Sequence, residues 1–503
     1  MRVTAMSTLT TLSRTKLTGI CPPARGAVLG ELVRRQQAPV WLVVTAELKA
    51  AEQLAEDVAF FTEVANLRPG PEILVFPESM PDSRDMREAF AASADRATVL
   101  SKLRATRQAS ATDTGAPPVI VATTPAALLQ PVPALEEFAT REFTLARGNA
   151  ISFPALLEKL RELDYDSEAV CEAPGHYAIR GGIIDVYPVT ANQPYRLDFF
   201  GDELEEIRPF DPVTQRSGEK IDSITIAASP RLKLDPSKTG LADYLSPHTH
   251  LVFIEPASLD EEFSTFAREG SDPLTPILQR CAAATGIADI DEAAALFDGE
   301  DVAESTWDTE SLAHHRRYPG EALVAQERLD VEEESRREFL VQVAAWKKAG
   351  YRVLFVVSKE GEEQRIREIL DEDPALKKIA PAFLRGVLNE GFRITNRGRS
   401  ALALASDSST RKRAPTSADP TGLVVVTETE LFGRQRLRRP QASKRALAQR
   451  AQVDQLLDFS ELVEGDFVVH LQHGIALYRG LTKLETRDGV REVISLEFDD
   501  HVT

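Results

Sequence analysis

The hydrophobic period of the chain changes twice along its length, and this limits its architecture more than any other feature. Up to about Thr123, short apolar runs alternate with helical stretches. Val40–Val44 (VWLVV), Glu72–Phe76 (EILVF) and Val119–Ala122 (VIVA) are predicted as buried strands. Between the first two, Glu47–Phe61 is predicted as a helix with Leu48, Ala51, Leu54, Ala55 and Val58 on one face. Such strand–helix alternation calls for a parallel sheet. Ala109–Pro118 is a loop by composition. Pro154 opens a helix over Ala155–Leu163, and then the period falls from about 3.6 to about 2. His176–Arg180, Ile183–Tyr187, Tyr195–Phe200, Glu203–Phe210 and Ser223–Ile226 read as strands separated by turn signals. The pattern is that of an α/β fold interrupted by a compact antiparallel β insertion.

Leu251–Glu255 (LVFIE) resumes the buried-strand style, and Asp260–Glu269 and Ile290–Phe297 are predicted helical. The acidic stretch Asp291–Asp308 is expected to be exposed. A second small α/β unit follows: helix Val331–Ala349, strand Val353–Val357, helix Gly361–Leu370 and strand Leu423–Thr427. Within it, Asn396–Pro420 is rich in Ser, Arg, Ala and Pro and is expected to be a flexible loop. The tail returns to β structure over Asp466–His470, Ile475–Leu484 and Arg491–Phe498. The expected domains are 18–150 and 236–325 as two parts of one α/β module, 151–235 as its β insertion, 326–455 as the second α/β domain, and 460–503 as a small β domain.

The 503 residues suffice for three or four domains. No apolar run approaches the roughly 18 residues of a membrane span, and Met1–Arg14 lacks the apolar core of a secretory signal. Cys21, Cys171 and Cys281 lie far apart, without metal-ligand spacing, which fits a reducing compartment and a cytoplasmic location. A net charge of −19 argues against a chain that grips phosphates over its whole surface. One local basic segment exists, Arg434–Arg450, with Arg434, Arg436, Arg438 and Arg439 at its head. It reads as a solvated linker or helix face, or else as a contact to nucleic acid or to an acidic neighbour.

In the insertion, Tyr195–Phe200 (YRLDFF), Gly201–Asp202 and Glu203–Phe210 read as a hairpin. Alternation puts Tyr195, Leu197 and Phe199 on one face and Arg196, Asp198 and Phe200 on the other. The Arg/Asp face is a poor core, which leaves Phe200 outward beside Arg196. In His176–Arg180, Tyr177 and Ile179 take the apolar face, with His176, Ala178 and Arg180 outward. Outward arginines with an outward aromatic have the composition of an interface hot spot; a surface salt bridge beside a half-buried Phe has the same composition.

A phosphate loop needs a Gly-rich turn of free N–H groups followed by Lys and Ser/Thr. Gly19–Gly30 (GICPPARGAVLG) stands where one belongs but has no Lys, and Pro22 and Pro23 remove two donors. Leu423–Glu430 (LVVVTETE) has Thr where a strand-end magnesium site needs its first carboxylate. His470 and His473 have no third ligand at useful spacing, and His248/His250 and His314/His315 are read as structural.

Four blocks carry a resemblance. Arg180–Tyr187 (RGGIIDVY), Arg196–Gly201 (RLDFFG) and Asp202–Pro212 with Thr214–Arg216 resemble the docking module shared by the excinuclease component UvrB and the bacterial transcription-repair coupling factors. Glu464–Gly480 (EGDFVVHLQHGIALYRG) resembles the RNA polymerase-interacting domain of those factors, also found in CarD-like regulators. Their order, with Thr429–Arg439 (TELFGRQRLRR) between them, is similar to that of the coupling factors, over roughly Thr18 to Thr503. The resemblance implies a degenerate helicase-like α/β module that has lost ATP binding, and a β insertion that recruits the excinuclease component UvrA through Arg180, Arg196 and Phe200. It also implies a Tudor-like β barrel that meets the RNA polymerase β subunit through an edge strand, Val490–Phe498, with Ile494 and Leu496. In the family the distal part of the protein masks the docking module. The family's ATP- and Mg-dependent DNA translocase would follow Thr503, so the expectation is an amino-terminal scaffold with an incomplete barrel. No cofactor, no metal, no membrane and no catalysis are expected of the chain itself. The alternatives are a helicase-like ATPase related to UvrB and a CarD-like transcription regulator.

Overall fold

The computed structural model describes residues 12–36, 38–67, 69–80, 86–108, 116–148, 151–201, 203–212, 214–229, 239–267, 272–316, 325–395, 422–433, 465, 467–470, 474–486 and 489–497. The loop expected over 396–420 lies outside the described residues.

The chain enters on β1 (Ser13–Thr18) and lays down β2 (Val40–Val44), β3 (Glu72–Phe76) and β4 (Val119–Thr123). The insertion holds β5 (Glu142–Ala146), β6 (Asp166–Ser167), β7 (His176–Arg180), β8 (Ile183–Val186), β9 (Tyr195–Phe200), β10 (Glu203–Pro209) and β11 (Ser223–Ala227). The chain then returns with β12 (Thr249–Ile254), β13 (Cys281–Ile287) and β14 (Val302–Thr306). β1–β4 and β12–β14 form one parallel sheet in the order β14-β1-β13-β12-β2-β4-β3. The strand that enters the sheet after the insertion lies beside the one that precedes β3, so the insertion is a true excursion from a single module.

β2 is buried along its whole length because helices cover both faces of this sheet. Val40, Leu42 and Val44 face a core with Val99 and Leu103 of helix Met86–Gln108 and Leu259 and Phe263 of helix Pro256–Phe266. Trp41 and Val43 face the opposite core, with Val28 and Leu29 of helix Arg25–Arg35 and Val58 and Phe61 of helix Leu48–Val64.

Three strands of this sheet escape the apolar pattern. β13 (CAAATGI) is built of small residues, because Pro256 and the Phe297 ring press to within 3.1–3.2 Å of where a Gly286 side chain would begin. β1 and β14 are polar: Arg14 and Lys16 are buried on β1, and their charges pair with Asp301 and with Asp291. The expected helix over Ile290–Phe297 is absent, and this stretch is turn and coil. Its backbone is claimed by acidic side chains instead, since Ala294 N donates to Asp298 Oδ1 and Ala295 N to Asp260 Oδ2. Asp291–Asp308 is thus not simply an exposed acidic run; it contains β14 and the buried Phe297 and Trp307.

The second α/β unit contains β15 (Thr309–Ser311), β16 (Tyr351–Val357), β17 (Ala382–Arg385), β18 (Phe392–Thr395) and β19 (Gly422–Val426), in the order β15-β18-β19-β16-β17. Helices Ala325–Lys348 and Glu360–Glu372 bury Phe339, Val343, Trp346, Ile366 and Leu370 against one face. The other face shares a core with the first module: Leu354, Val356, Phe392 and Val425 join Val58 and Phe61, with the Phe61 and Phe392 rings edge-on at 6.0 Å. The tail is a three-stranded antiparallel sheet of β20 (Phe467–His470), β21 (Gly474–Thr486) and β22 (Gly489–Glu497), with β21 central. The molecule is therefore a mixed α/β protein with separate parallel and antiparallel sheets. Among the described residues no helix is long and apolar enough to cross a membrane.

Candidate docking surface

The insertion rises from a two-stranded base in which β5 pairs antiparallel with β11. Tyr165 staples the base to the body of the insertion: its hydroxyl donates to Ala227 O at 2.8 Å and accepts from Val189 N at 3.1 Å. Above it stands the sheet β10-β9-β8-β7-β6. Leu197 and Phe199 of β9, Ile184 and Val186 of β8 and Tyr177 of β7 share one face, and they bury against Leu156 and Leu160 of helix Phe153–Glu162. Two tight turns and a cross-strand bond fix the far end. Gly181 and Gly201 hold φ near +62° and +64°, conformations that favour glycine, and Phe199 N donates to Gly182 O across the strands at 3.0 Å.

The opposite face divides in two. Nearer the base it is covered: Ala178, Cys171, Tyr187 and Phe210 form a second small core. Toward the tip it is open, where Phe200 is 76% exposed and Arg180 is exposed as well. β7 alternates as the sequence predicts, but burial does not follow the alternation. Ala178 is fully buried by the second core, whereas Ile179, on the apolar face, is 43% exposed.

Arg196, expected outward either as an interface contact or in a surface salt bridge, is engaged by a buried carboxylate. Register places Arg196 opposite Asp185. Its Nε and Nη2 donate to the two carboxylate oxygens of Asp185 at 2.7 and 2.8 Å, and its guanidinium lies over the Phe210 ring at 4.6 Å. Asp185, 1% exposed, is the site residue that sequence reasoning missed. Pairing β8 with β9 by their shared apolar residues would have placed it opposite Arg196.

In the tail, Ile494 lies opposite Leu481 and Leu496 opposite Tyr478, on β22, one of the two outer strands of its sheet among the described residues. The side chains of Ile494 and Leu496 lie outside the described residues, as do Arg434, Arg436, Arg438 and Arg439 entirely.

Gly19–Ala24 sits between β1 and helix Arg25–Arg35, the topological position of a phosphate loop. Its donors are spent within the chain. Gly19 N donates to Asp289 O, Ile20 N to Ala288 O, Ala24 N to Cys21 O, and Cys21 N to Thr309 Oγ1 at 2.7 Å. Thr309 Oγ1 in turn donates to Gly19 O at 2.9 Å, so the connector to the second α/β unit is laced onto this loop. Beside it Arg25 pairs with Glu255.

Glu430 closes a capping box. Its carboxylate accepts from Thr427 N, Thr427 Oγ1 and Gly391 N, and burial pushes its pKa up to about 7 against those donors. Burial likewise raises the Cys21 thiol to about 11 and Cys281 to about 12, away from thiolate chemistry at neutral pH. Among the described residues no group of three His, Cys, Asp or Glu side chains is placed to hold a metal ion.

This fold and this surface define a multidomain α/β protein whose distinguishing part is an antiparallel β insertion with an exposed aromatic at its tip. Residues 143–231 match the UvrB interaction domain, and residues 462–503 match the CarD-like/TRCF RID domain. The chain as a whole matches the amino-terminal part of the transcription-repair-coupling factors. It is 23% identical to that of Bacillus subtilis over 554 aligned residues, covering 96% of this chain and 43% of the relative. With that of Escherichia coli it shares 25% identity over 410 residues, 70% of this chain and 33% of the relative. With that of Mycobacterium bovis it shares 33% over 218 residues, 42% of this chain and 16% of the relative. The chain thus spans less than half the length of these curated relatives.

Proposed function

We propose that this chain is a scaffold for transcription-coupled nucleotide excision repair, recruiting UvrA through its β insertion to RNA polymerase held by its tail. The observation that carries the reading is Phe200. A large aromatic at 76% exposure on a sheet otherwise well packed is uncommon without a partner, and it shares an open face with Arg180 in the segment matched to the UvrB interaction domain. Arg180, Arg196 and Phe200 form the proposed site. The tail would pair β22 as an edge strand with a strand of the polymerase β subunit, near Ile494 and Leu496. Arg434, Arg436, Arg438 and Arg439 are proposed to meet DNA in the whole protein. In this reading the first module is a degenerate helicase-like unit, the tail part of a Tudor-like barrel, and the location cytoplasmic.

A helicase-like ATPase is the less favoured reading, because the donors of Gly19–Ala24 are already spent on the chain's own acceptors. A CarD-like regulator acting through the tail alone would leave the exposed tip of the insertion unused.

Immobilised chain is expected to retain purified UvrA without polymerase or ATP. The combined Arg180→Ala, Arg196→Ala, Phe200→Ala variant should retain about tenfold less or worse, the scale of losing hot-spot residues. Equal retention by both proteins would remove the site assignment, and retention only after polymerase is added would remove the claim of free exposure.

A further inference from the structure

Of the three residues assigned to docking, Arg196 is the one the chain itself already occupies. Nε and Nη2 hold Asp185, Nη2 also reaches Gln215 Oε1 at 3.4 Å, and Nη1 reaches Ser217 Oγ at 3.4 Å. Asp185 is buried, so turning Arg196 toward a partner would leave a carboxylate unpaired away from water. Arg180 and Asp198 are different: both are exposed, and no ion pair joins either to another described residue.

The register explains how these groups come together. Arg180 of β7 lies opposite Ile183 of β8, and Ile183 lies opposite Asp198 of β9. Directly opposed residues point to the same side of a sheet. Three strands therefore deliver a cation, a half-buried isoleucine and an anion in one row, on the face that also carries Phe200 two residues beyond Asp198. The next row toward the base is Ala178, Asp185 and Arg196, and it is covered.

We propose, building on the docking reading, that Arg180, Ile183, Asp198 and Phe200 are the contact row, and that Arg196 is a positioning residue acting through Asp185. The Arg196–Asp185 pair joins β8 to β9 directly behind the row and fixes the spacing of Ile183 and Asp198. The partner surface that fits is an apolar pocket for the Phe200 ring, with a carboxylate on the Arg180 side and a cation on the Asp198 side. A partner lacking the cation would meet an unpaired Asp198, which gives this residue a part in choosing between partners.

The test is titration of the full chain with purified UvrA. Asp198→Lys changes an exposed side chain and is expected to weaken binding about tenfold or more; wild-type affinity would overturn the row. Asp185→Asn and Arg196→Gln should each weaken binding, and the double variant should be no weaker than the poorer single one. The salt dependence of binding should stay at the wild-type slope in Arg196→Gln and flatten in Arg180→Gln, because of these two arginines only Arg180 meets a charge across the interface. Unimpaired binding by Asp185→Asn beside a weakened Arg196→Gln, or a flattened slope in Arg196→Gln, would make Arg196 a direct contact and overturn its positioning role. If circular dichroism shows that a buried-pair variant has not folded, Arg196→Lys takes its place in the salt series. Phe200→Ala separates the two levels. Full affinity in that variant defeats the docking reading, whereas a weakened Phe200→Ala beside a full-strength Asp198→Lys leaves docking intact and removes the proposed row.

Discussion

Replacing Gly19 by alanine is expected to destabilise the first α/β module by roughly 3–5 kcal/mol, whereas the same change at Gly148 should cost only about 1 kcal/mol. The two glycines share a backbone conformation, with φ at +71° and +75°. That left-handed region costs any L-residue with a side chain about 1–2 kcal/mol, and this part of the penalty is common to both. They differ in what a methyl group would meet. Around Gly148 there is nothing within 4 Å. At Gly19 the new carbon would collide with the carbonyl oxygen of Trp307, and backbone cannot swing aside as a flexible side chain can. The strain would fall on the lacing of connector to loop, where Trp307 N donates to Thr18 O at 2.8 Å and Thr309 Oγ1 donates to Gly19 O. Urea unfolding followed by tryptophan fluorescence reads the difference, since Trp41 and Trp307 are both buried in this region. Equal midpoints for the two variants would mean that the connector is not held against the loop. The loop between β1 and helix Arg25–Arg35 anchors the inter-module connector, and its glycine is demanded by the carbonyl of Trp307.

The parts of the molecule legible in the sequence are those where a single periodicity decides. β2, β4, β12 and β16 are buried on both faces and appear as unbroken apolar runs. The insertion's strands appear because one side of that sheet faces a helix. What stays hidden depends on partners distant in the chain. β13 needs small side chains because Phe297 and Pro256 sit on Gly286, and a strand of alanines carries no β signal of its own. β1 buries Arg14 and Lys16, which their pairing with Asp301 and Asp291 makes tolerable, and β14 beside it is a mostly exposed polar strand. In the candidate site, the outward placement of Arg180 and Phe200 follows from alternation, while their assignment to docking comes from the resemblance. The engagement of Arg196 follows from neither, because it requires the register between β8 and β9 and a loop around Gln215 and Ser217 that folds over it. The same loop's Phe210 buries Ala178, so a face that alternation marks as outward is partly a second core. Arg434–Arg450 and the side chains of Ile494 and Leu496 lie outside the described residues.

Acidification should remove stability through His250, and substituting that one residue should flatten the response. His250 lies on β12 in the centre of the parallel sheet, stacked on Trp41 with ring centroids 4.3 Å apart and planes 13° from parallel. Its Nε2 is 2.8 Å from Thr285 Oγ1 on the neighbouring strand. Burial disfavours the imidazolium and pushes the pKa down from 6.5 to about 4. For a histidine lowered on folding, the unfolded chain binds the proton first. The contribution to stability is therefore complete above about pH 6.5 and is lost as pH falls from there toward 4. The fall from 6.5 to about 4 corresponds to roughly 3 kcal/mol once both forms are protonated. Glu430 works in the opposite sense. Its pKa is raised on folding from 4.5 to about 7, so its contribution is complete below about 4.5 and is lost as pH rises through 7. The net curve of the wild type mixes the two, and the useful quantity is the difference between wild type and His250→Gln, in which Glu430 and every other common group cancel. Glutamine is neutral throughout and can still hydrogen-bond Thr285. The difference in unfolding free energy between the two chains should be constant above about pH 7 and should shift toward the variant as pH falls from 6.5 to 4, by about 2 kcal/mol at pH 5 for a pKa lowered to about 4. A difference that stays constant down to about pH 4.5 would mean that water or a counter-charge reaches the ring, and that the centre of the sheet is less dry than the Trp41–His250 stack requires.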